Sequence, residues 1–297
     1  MTAKACLRSM RLRTLPLSLA GVLLGVLLAA GEHALKPLTT ILLLLTTVGL
    51  QILSNLSNEL GDTLSGTDRA DRAGIRYSLQ DGEMTVPEMK RLIAIMAGVD
   101  CVLGLGMVWS AFGTPLGLLP LAFLALGAAA VWAAIHYTLG KHPYGYRGLG
   151  DLSVFLFFGL ATVCGGWFLS CQVWTWRILL PASAIGCFSV AVLNVNNIRD
   201  MKTDARTRTT VAIRLGAQRA RIYQTVLIVA GWTLMTVFCL LPPVDGWRFL
   251  YVLTLPGFVK HLQGVWTMRD RELDPMLPLL VLSTFAFALS GGIGFIL

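Results

Sequence analysis

Nine apolar stretches constrain this chain more than any other feature. They run about 15–31, 38–60, 92–112, 115–138, 151–170, 177–198, 221–241, 247–265 and 276–296. Each is near the ~20 residues that carry a helix across a bilayer. Hydrocarbon offers no water to a bare N–H or C=O, so such a stretch must satisfy its own backbone as a helix. The sequence therefore predicts an all-α multipass membrane protein, a bundle of about nine transmembrane helices. Charged residues are 13% of the 297 and hydrophobic ones 55%, against about 25% charged in a soluble domain. That balance argues against a soluble enzyme, a disulfide-stapled secreted domain and a disordered chain.

The formal net charge of +8 would point toward nucleic acid in a soluble protein. Its distribution points elsewhere. With nine spans the loops alternate between two sides, and twenty-one of the 24 Lys and Arg fall on the side of the N-terminus. The other side keeps Lys36, Arg177 and Arg248. Positive loops stay cytoplasmic, so the N-terminus is expected inside and the C-terminus outside. The expected partner of this charge is the lipid bilayer, not nucleic acid. The first 34 residues imitate a signal peptide, with a basic start and then an apolar run, but the chain continues as a multipass protein. Six scattered cysteines (Cys6, Cys101, Cys164, Cys171, Cys187, Cys239) form no CxxC or Cys/His cluster. They predict neither a metal site nor a disulfide framework.

The two long internal loops, about 61–90 and 199–220, both fall on the cytoplasmic side, and polar residues gather at their edges. Asn55, Asn58 and Asp62, spaced i, i+3, i+7, share one face at the end of the second span. Gly61 and Gly66 then let the chain turn and bring Asp68 back toward that face. At the end of the sixth span Asn196, Asp200 and Asp204 repeat the pattern at i, i+4, i+8. Asn-xxx-Asp-xxx-Asp and Asn-xxx-Asp-xxxxx-Asp thus occur once each, four spans apart. This is consistent with a single domain over 1–297 that contains a parallel internal duplication, with motifs at 55–71 and 194–206. A duplication would set the two motifs opposite one another across a bundle.

Four carboxylates (Asp62, Asp68, Asp200, Asp204) near one cavity mouth repel unless a cation joins them. Mg²⁺ takes oxygen ligands, commonly one or two carboxylates together with substrate phosphate oxygens. The interleaved bases Arg69, Arg72, Arg76, Lys202, Arg206 and Arg208 are of the type that grips phosphate. Asp100, near the middle of the third span, is expected to make an interhelical hydrogen bond. Lys260 and His261 are expected to snorkel to the headgroups.

At these residues the sequence resembles the UbiA-type intramembrane aromatic prenyltransferases, and within them the branch that prenylates 1,4-dihydroxy-2-naphthoate for menaquinone. The similarity runs over Arg13–Pro16, Asn55–Asp71, His136–Thr138, Pro143–Asp151, Asn194–Asp204 and Val211–Gly216. The resemblance implies nine membrane helices around a cavity whose cytoplasmic end binds polyprenyl diphosphate through Mg²⁺. It assigns Asn58, Asp62 and Asp68 to one half of that site and Asn196, Asp200 and Asp204 to the other. Arg13, Arg72, Tyr137, Lys141, Lys202, Arg206 and Arg208 would contact substrate. Glu59 stands where the motif commonly has Asp, and two extra residues precede Asp68, which leaves Asp71 as its alternative. The implied reaction alkylates an electron-rich ring with an allylic cation, and Trp132, Tyr137, Phe155, Phe157 and Phe158 are candidates to face that cation. His136, beside Tyr137, is a candidate for proton removal. The implied location is a bacterial inner membrane with the site facing the cytoplasm. The rival readings are another aromatic acceptor such as 4-hydroxybenzoate, or a secondary transporter. A transporter binds near the bilayer midplane, whereas these acids cluster at one face.

Overall fold

The computed structural model describes residues 2–66, 76–205, 207–242 and 244–297. Every regular element among them is helical. In chain order the α-helices are α1 (Ala3–Met10), α2 (Leu15–Glu32), α3 (Pro37–Leu64), α4 (Val86–Phe112) and α5 (Leu118–His136). Next come α6 (Gly150–Val154), α7 (Thr162–Cys171), α8 (Leu179–Arg199), α9 (Met201–Asp204) and α10 (Val211–Leu215). The last are α11 (Ala217–Cys239), α12 (Leu255–Thr267) and α13 (Met276–Ile293).

Local chemistry sets several boundaries. Helix α4 starts at Val86, ahead of the expected 92, because Thr85 and Glu88 form a reciprocal capping box with Pro87 in the first turn. The Thr85 N–H donates to Glu88 Oε2 at 2.8 Å and the Glu88 N–H to Thr85 Oγ1 at 3.4 Å, which satisfies two orphan donors at once. Gly113, at φ 72°, closes the same helix with its N–H on Trp109 O.

Among the described residues, eight helices are long and apolar enough to cross a membrane. The expected span at 247–265 is instead a 3₁₀-helix, Gly246–Thr254, that passes into α12. Pro256, in the first turn of α12, has no N–H to continue a single ladder. Nine residues at about 2.0 Å and thirteen at about 1.5 Å still rise about 37 Å. That exceeds a hydrocarbon core of about 30 Å, so the segment differs from its neighbours in continuity rather than reach.

The chain forms two compact units, both discontinuous in sequence. One comprises Met1–Leu15, Leu42–Gly150 and Lys202–Thr210. Its core joins Ala5 of α1 to Ile52, Leu53, Leu56 and Leu60 of α3 and to Met89, Leu92 and Ile93 of α4. Asn55 ties the N-terminal segment down by donating to Met10 O at 2.8 Å and Thr14 Oγ1 at 2.9 Å. Glu59 is fully buried and accepts the Leu79 N–H at 3.0 Å, so it anchors the loop ahead of α4. Asp100 is also buried, against Gly49 of α3. Neither of its carboxyl oxygens has a hydrogen-bond partner among the described residues. The expected interhelical hydrogen bond is therefore not made, because what faces the carboxyl is a glycine with no side chain to offer.

The other unit comprises Pro16–Ile41, Asp151–Met201 and Val211–Leu297. Its core draws Leu24 and Leu28 of α2, Trp167 of α7, Ile185 and Phe188 of α8, Phe258 of α12 and Phe287 of α13 into one cluster. Between α6 and α7 the backbone widens into a π-helix, Phe155–Ala161. Gly159 there lies so close to α8 that an added Cβ would come within 2.5 Å of Gly186 Cα. A buried polar knot crosses this core. Asn194 Nδ2 donates to Gln224 Oε1 at 2.7 Å, and Gln224 Nε2 donates to Ala191 O and His261 Nε2, both at 2.9 Å. The Met276 carbonyl, an acceptor only, lies 3.0 Å from His261 Nδ1, which puts the proton on Nδ1 and leaves Nε2 to accept. His261 is fully buried and does not snorkel. Its neighbour Lys260 is exposed.

Candidate active site

In the first unit the expected site residues converge on Asp62. Asp62 lies in the last turn of α3 and is mostly buried. The Tyr146 hydroxyl donates to Asp62 Oδ1 at 2.7 Å. Ser65 Oγ lies 3.2 Å from the same hydroxyl. Arg208 reaches both acids of the cluster, at 3.8 Å from Asp62 Oδ1 and 2.8 Å from Asp204 Oδ1. Its guanidinium also lies over the Tyr146 ring, 5.6 Å from the centroid. The Thr209 N–H donates to Tyr146 O at 2.9 Å, so backbone as well as side chains fasten 202–210 to the loop that carries Tyr146. Burial works against the charge on Arg208, but the carboxylates of Asp62 and Asp204 outweigh it and hold the guanidinium protonated. Burial, with the charge on Asp62, pushes the Tyr146 phenol well above its ordinary range. That group is a neutral donor at any ordinary pH.

Asn58 sits one turn before Asp62. The Thr138 hydroxyl donates to Ser57 O at 2.8 Å and lies 3.2 Å from Asn58 Oδ1. Gly61 makes that approach possible, since a Cβ there would fall 2.5 Å from Thr138 Cβ. Tyr137 packs edge-on to Tyr144 with centroids 5.4 Å apart. The Arg13 guanidinium donates to Tyr77 Oη at 2.6 Å. Lys141 and Lys202 are exposed. His136 stacks on Trp132, with its Nδ1 3.0 Å from Trp132 O.

In the second unit, Arg199 grips the expected Asn196 and Asp200. Its Nε meets Asp200 Oδ1 at 3.0 Å, while one terminal nitrogen meets Asp200 Oδ2 at 2.6 Å and Asn196 Oδ1 at 2.7 Å. Arg271 adds a contact to Asp200 at 3.4 Å. Both Asp200 and Asp204 are almost wholly buried. Asp68, Asp71, Arg69, Arg72 and Arg206 lie outside the described residues.

The donors Asp62, Asp204, Asp200, Asn58 and Asn196 are all hard oxygens, the type that Mg²⁺ takes. In each unit a guanidinium lies among those oxygens, as a monovalent cation where two or more acceptors converge. The residues thus fit a hard divalent cation, although no three His, Cys, Asp or Glu side chains among the described residues form a ready-made cage. Sequence spacing marked neither Tyr146 nor Arg199 as a site residue. Tyr146 lies 84 positions from Asp62, beyond any helical periodicity. Arg199 reads in the sequence as one more cytoplasmic base.

Comparison with known proteins settles the family. The UbiA prenyltransferase family matches residues 18–291. The chain belongs to that family. It is a multipass membrane prenyltransferase of the menaquinone type. It is similar to the 1,4-dihydroxy-2-naphthoate octaprenyltransferase of Escherichia coli strain K12, at 40% identity over 93% of this chain and 89% of that one. It is 36% identical to the Mycobacterium tuberculosis protein of the same name, over 96% and 95% of the two chains. Among solved structures it is similar to a UbiA homologue from Aeropyrum pernix K1, with TM-score 0.71 and 16% identity over 94% of this chain and 97% of that one. A UbiA homologue from Archaeoglobus fulgidus bound to GPP and Mg²⁺ has TM-score 0.67 and 16% identity, over 97% and 99% of the two chains. At those identities the structural likeness speaks for the fold.

Proposed function

We propose that this protein transfers a polyprenyl group from polyprenyl diphosphate to 1,4-dihydroxy-2-naphthoate, releases diphosphate and CO₂, and so makes demethylmenaquinol. The observation that carries the reading is the pair of Asn/Asp sets at the ends of α3 and α8–α9. Among the described residues their carboxylates, Asp62, Asp200 and Asp204, are buried, and in each set an arginine lies among hard oxygens. The names of the curated relatives support the acceptor, and the GPP and Mg²⁺ bound by the Archaeoglobus homologue support the donor and the metal. The enzyme works in a bacterial inner membrane, with the positive-inside balance of its loops turning the site to the cytoplasm.

Asp62, Asp200 and Asp204, with Asp68, would hold Mg²⁺, and Asn58 and Asn196 would complete the oxygen set. Bound Mg²⁺ stabilises the negative charge that grows on the departing diphosphate. The chain's own residues do the rest. Tyr146 keeps one oxygen of Asp62 oriented. Arg13, Arg72, Lys141, Lys202, Arg206 and Arg208 supply the cations that grip the phosphates. Apolar helices keep water from the allylic cation, and Tyr137, next to the Thr138 that meets Asn58, is the aromatic face for it. The acceptor attacks through the ring carbon that bears the carboxylate.

One assay tests the reading. Purified protein in nanodiscs receives a polyprenyl diphosphate, Mg²⁺ and 1,4-dihydroxy-2-naphthoate, with EDTA and 4-hydroxybenzoate arms. The expected result is prenylated naphthoquinol and CO₂ in the metal arm alone, and no turnover in Asp62→Ala or Asp200→Ala. Product from hydroxybenzoate alone would overturn the acceptor. Full activity in either variant would overturn the metal assignment.

A further inference from the structure

The Pro143–Asp151 run begins beside the carboxylate cluster, through Tyr146, and ends on a half-buried acid that the reaction above does not use. Asp151 occupies the first turn of α6, one residue after Gly150. The hydroxyl of Tyr223, on α11, engages its carboxyl group. Asp151 Oδ2 is shielded from solvent and has no hydrogen-bond partner among the described residues. A buried carboxylate oxygen without a donor costs folding free energy, and here the structure keeps one. The residues that follow add a second peculiarity. From Phe155 to Ala161 the helix runs as a π-helix, a strained form that recurs at functional sites. It carries Phe155, Phe157 and Phe158, and the Phe155 ring lies against Gly186 of α8. A carboxyl group lacking one donor, a phenol beside it and phenyl rings on the turns that follow are the chemistry that a flat hydroxylated ring requires.

We infer that Asp151 receives a hydroxyl of the aromatic acceptor and takes its proton as the new carbon–carbon bond forms, with Tyr223 as the residue that aims it. The inference rests on the proposed reaction. The hydroxyl concerned is the one next to the carboxylate-bearing carbon, at C1, because only that oxygen pushes electrons to the attacking carbon. As that carbon bonds to C1 of the prenyl chain, the prenyl C–O bond breaks and its electron pair leaves with diphosphate. The hydroxyl proton passes to Asp151, which leaves a ketone. The carboxylate then departs as CO₂, its bonding pair returns to the ring, and Asp151 gives the proton back to the oxygen. Aromaticity is restored with no oxidant and no net proton, so Asp151 ends each cycle as it began. Substitution of a ring hydrogen, as in hydroxybenzoate, would instead leave one proton to dispose of.

The test pairs kinetics with a binding cycle in nanodiscs. Asp151→Asn is expected to lower kcat/KM for dihydroxynaphthoate by about 100-fold or more, the usual scale of a lost general base. An unreactive prenyl thiolodiphosphate with Mg²⁺ should bind this variant within about threefold of wild type, which also reports that it is folded. The C1 methyl ether of the acceptor should inhibit the wild type at least about tenfold more weakly than an unreactive dihydroxy analogue. Asp151→Asn should not distinguish the two. Tyr223→Phe should lower kcat while acceptor KM and donor affinity hold, and Asp151→Glu should recover part of the rate lost in Asp151→Asn. Wild-type turnover with an unimpaired Asp151→Asn, or a variant that still distinguishes the ether, overturns the assignment alone. A wild type inactive on dihydroxynaphthoate overturns it together with the proposed reaction.

Discussion

Replacing Arg208 with Gln removes the charge that, among the described residues, joins Asp62 to Asp204. Glutamine is shorter and carries hydrogen-bonding groups but no charge, so the loss reports on electrostatics first. The guanidinium stands 2.8 Å from one carboxylate and 3.8 Å from the other, and only 12% of the side chain is exposed. Solvent therefore screens the cluster weakly. Removing one partner of a buried ion pair costs about 3–5 kcal/mol, because the remaining charge stays buried. At about 2–4 °C per kcal/mol for a chain of a few hundred residues, the apparent Tm of the metal-free protein should fall by on the order of 10 °C. Millimolar Mg²⁺ should then behave oppositely in the two proteins. In the wild type the ion must displace the guanidinium, so Mg²⁺ alone should move Tm little. In Arg208→Gln the acids are open to it, and binding to the folded state alone should restore much of the loss. Differential scanning fluorimetry in detergent, with EDTA, Mg²⁺ and Mg²⁺ plus diphosphate, reads all of this. A variant that melts within about 2 °C of wild type, or equal Mg²⁺ shifts in the two proteins, would refute the counter-ion argument.

Three further outcomes follow from other parts of the molecule. Gln224→Leu deletes the three side-chain hydrogen bonds at the centre of the Asn194–His261 knot. At about 0.6–1.7 kcal/mol each within a membrane it should destabilise by about 2–5 kcal/mol, read as a lower apparent Tm with the donor affinity kept. Gly49→Ala drives a methyl group into Asp100 Oδ1 and should cost about 1–3 kcal/mol. Asp100→Ala in the same chain should recover most of that, and strictly additive losses would exclude the contact. Arg8, hydrogen-bonded to Asp81 at 2.6 Å, holds that carboxyl below its usual range, with Arg76 assisting. Its contribution is therefore complete above the ordinary carboxylate value of about 4 and is lost as pH falls through the lowered one. The protection factor of the Leu79 amide, exchange measured relative to its intrinsic rate, should fall on acidification in that window in the wild type, and Asp81→Asn should lack that fall.

Apolar run length alone located the membrane helices, because the bilayer imposes one length and one hydrogen-bonding solution on every span. It misjudged continuity at Pro256 for the same reason: hydropathy registers how far a segment reaches, not whether its ladder is unbroken. The Asn/Asp sets were visible because their members recur at helical spacing in the sequence, Asn58 and Asp62 within α3 and Asn196 to Asp204 across the junction of α8 and α9. Their supports were not. Tyr146 serves Asp62 from 84 positions away, and Gln224 meets His261 from 37 away, pairings that exist only once helices pack. His261 illustrates the point. Beside Lys260 it reads as an interfacial base, but the Met276 carbonyl and the Gln224 amide, from opposite directions along the chain, claim both of its nitrogens. Glu59, which stands where the motif commonly has Asp, accepts the Leu79 N–H.

The interleaving of the two units along the chain bears on how the protein is made. Helix α2 leaves the ribosome well over 200 residues ahead of α12 and α13, yet the cluster that receives Leu24 and Leu28 is completed by Phe258 and Phe287. All the segments between them must be synthesised and inserted before that helix acquires its final neighbours. Until then its packing face rests against lipid or the insertion machinery, so biogenesis here is an act of waiting. A ribosome that stops before α12 leaves behind an inserted, unpaired α2, a ready signal by which membrane quality control can tell an unfinished copy from a finished one.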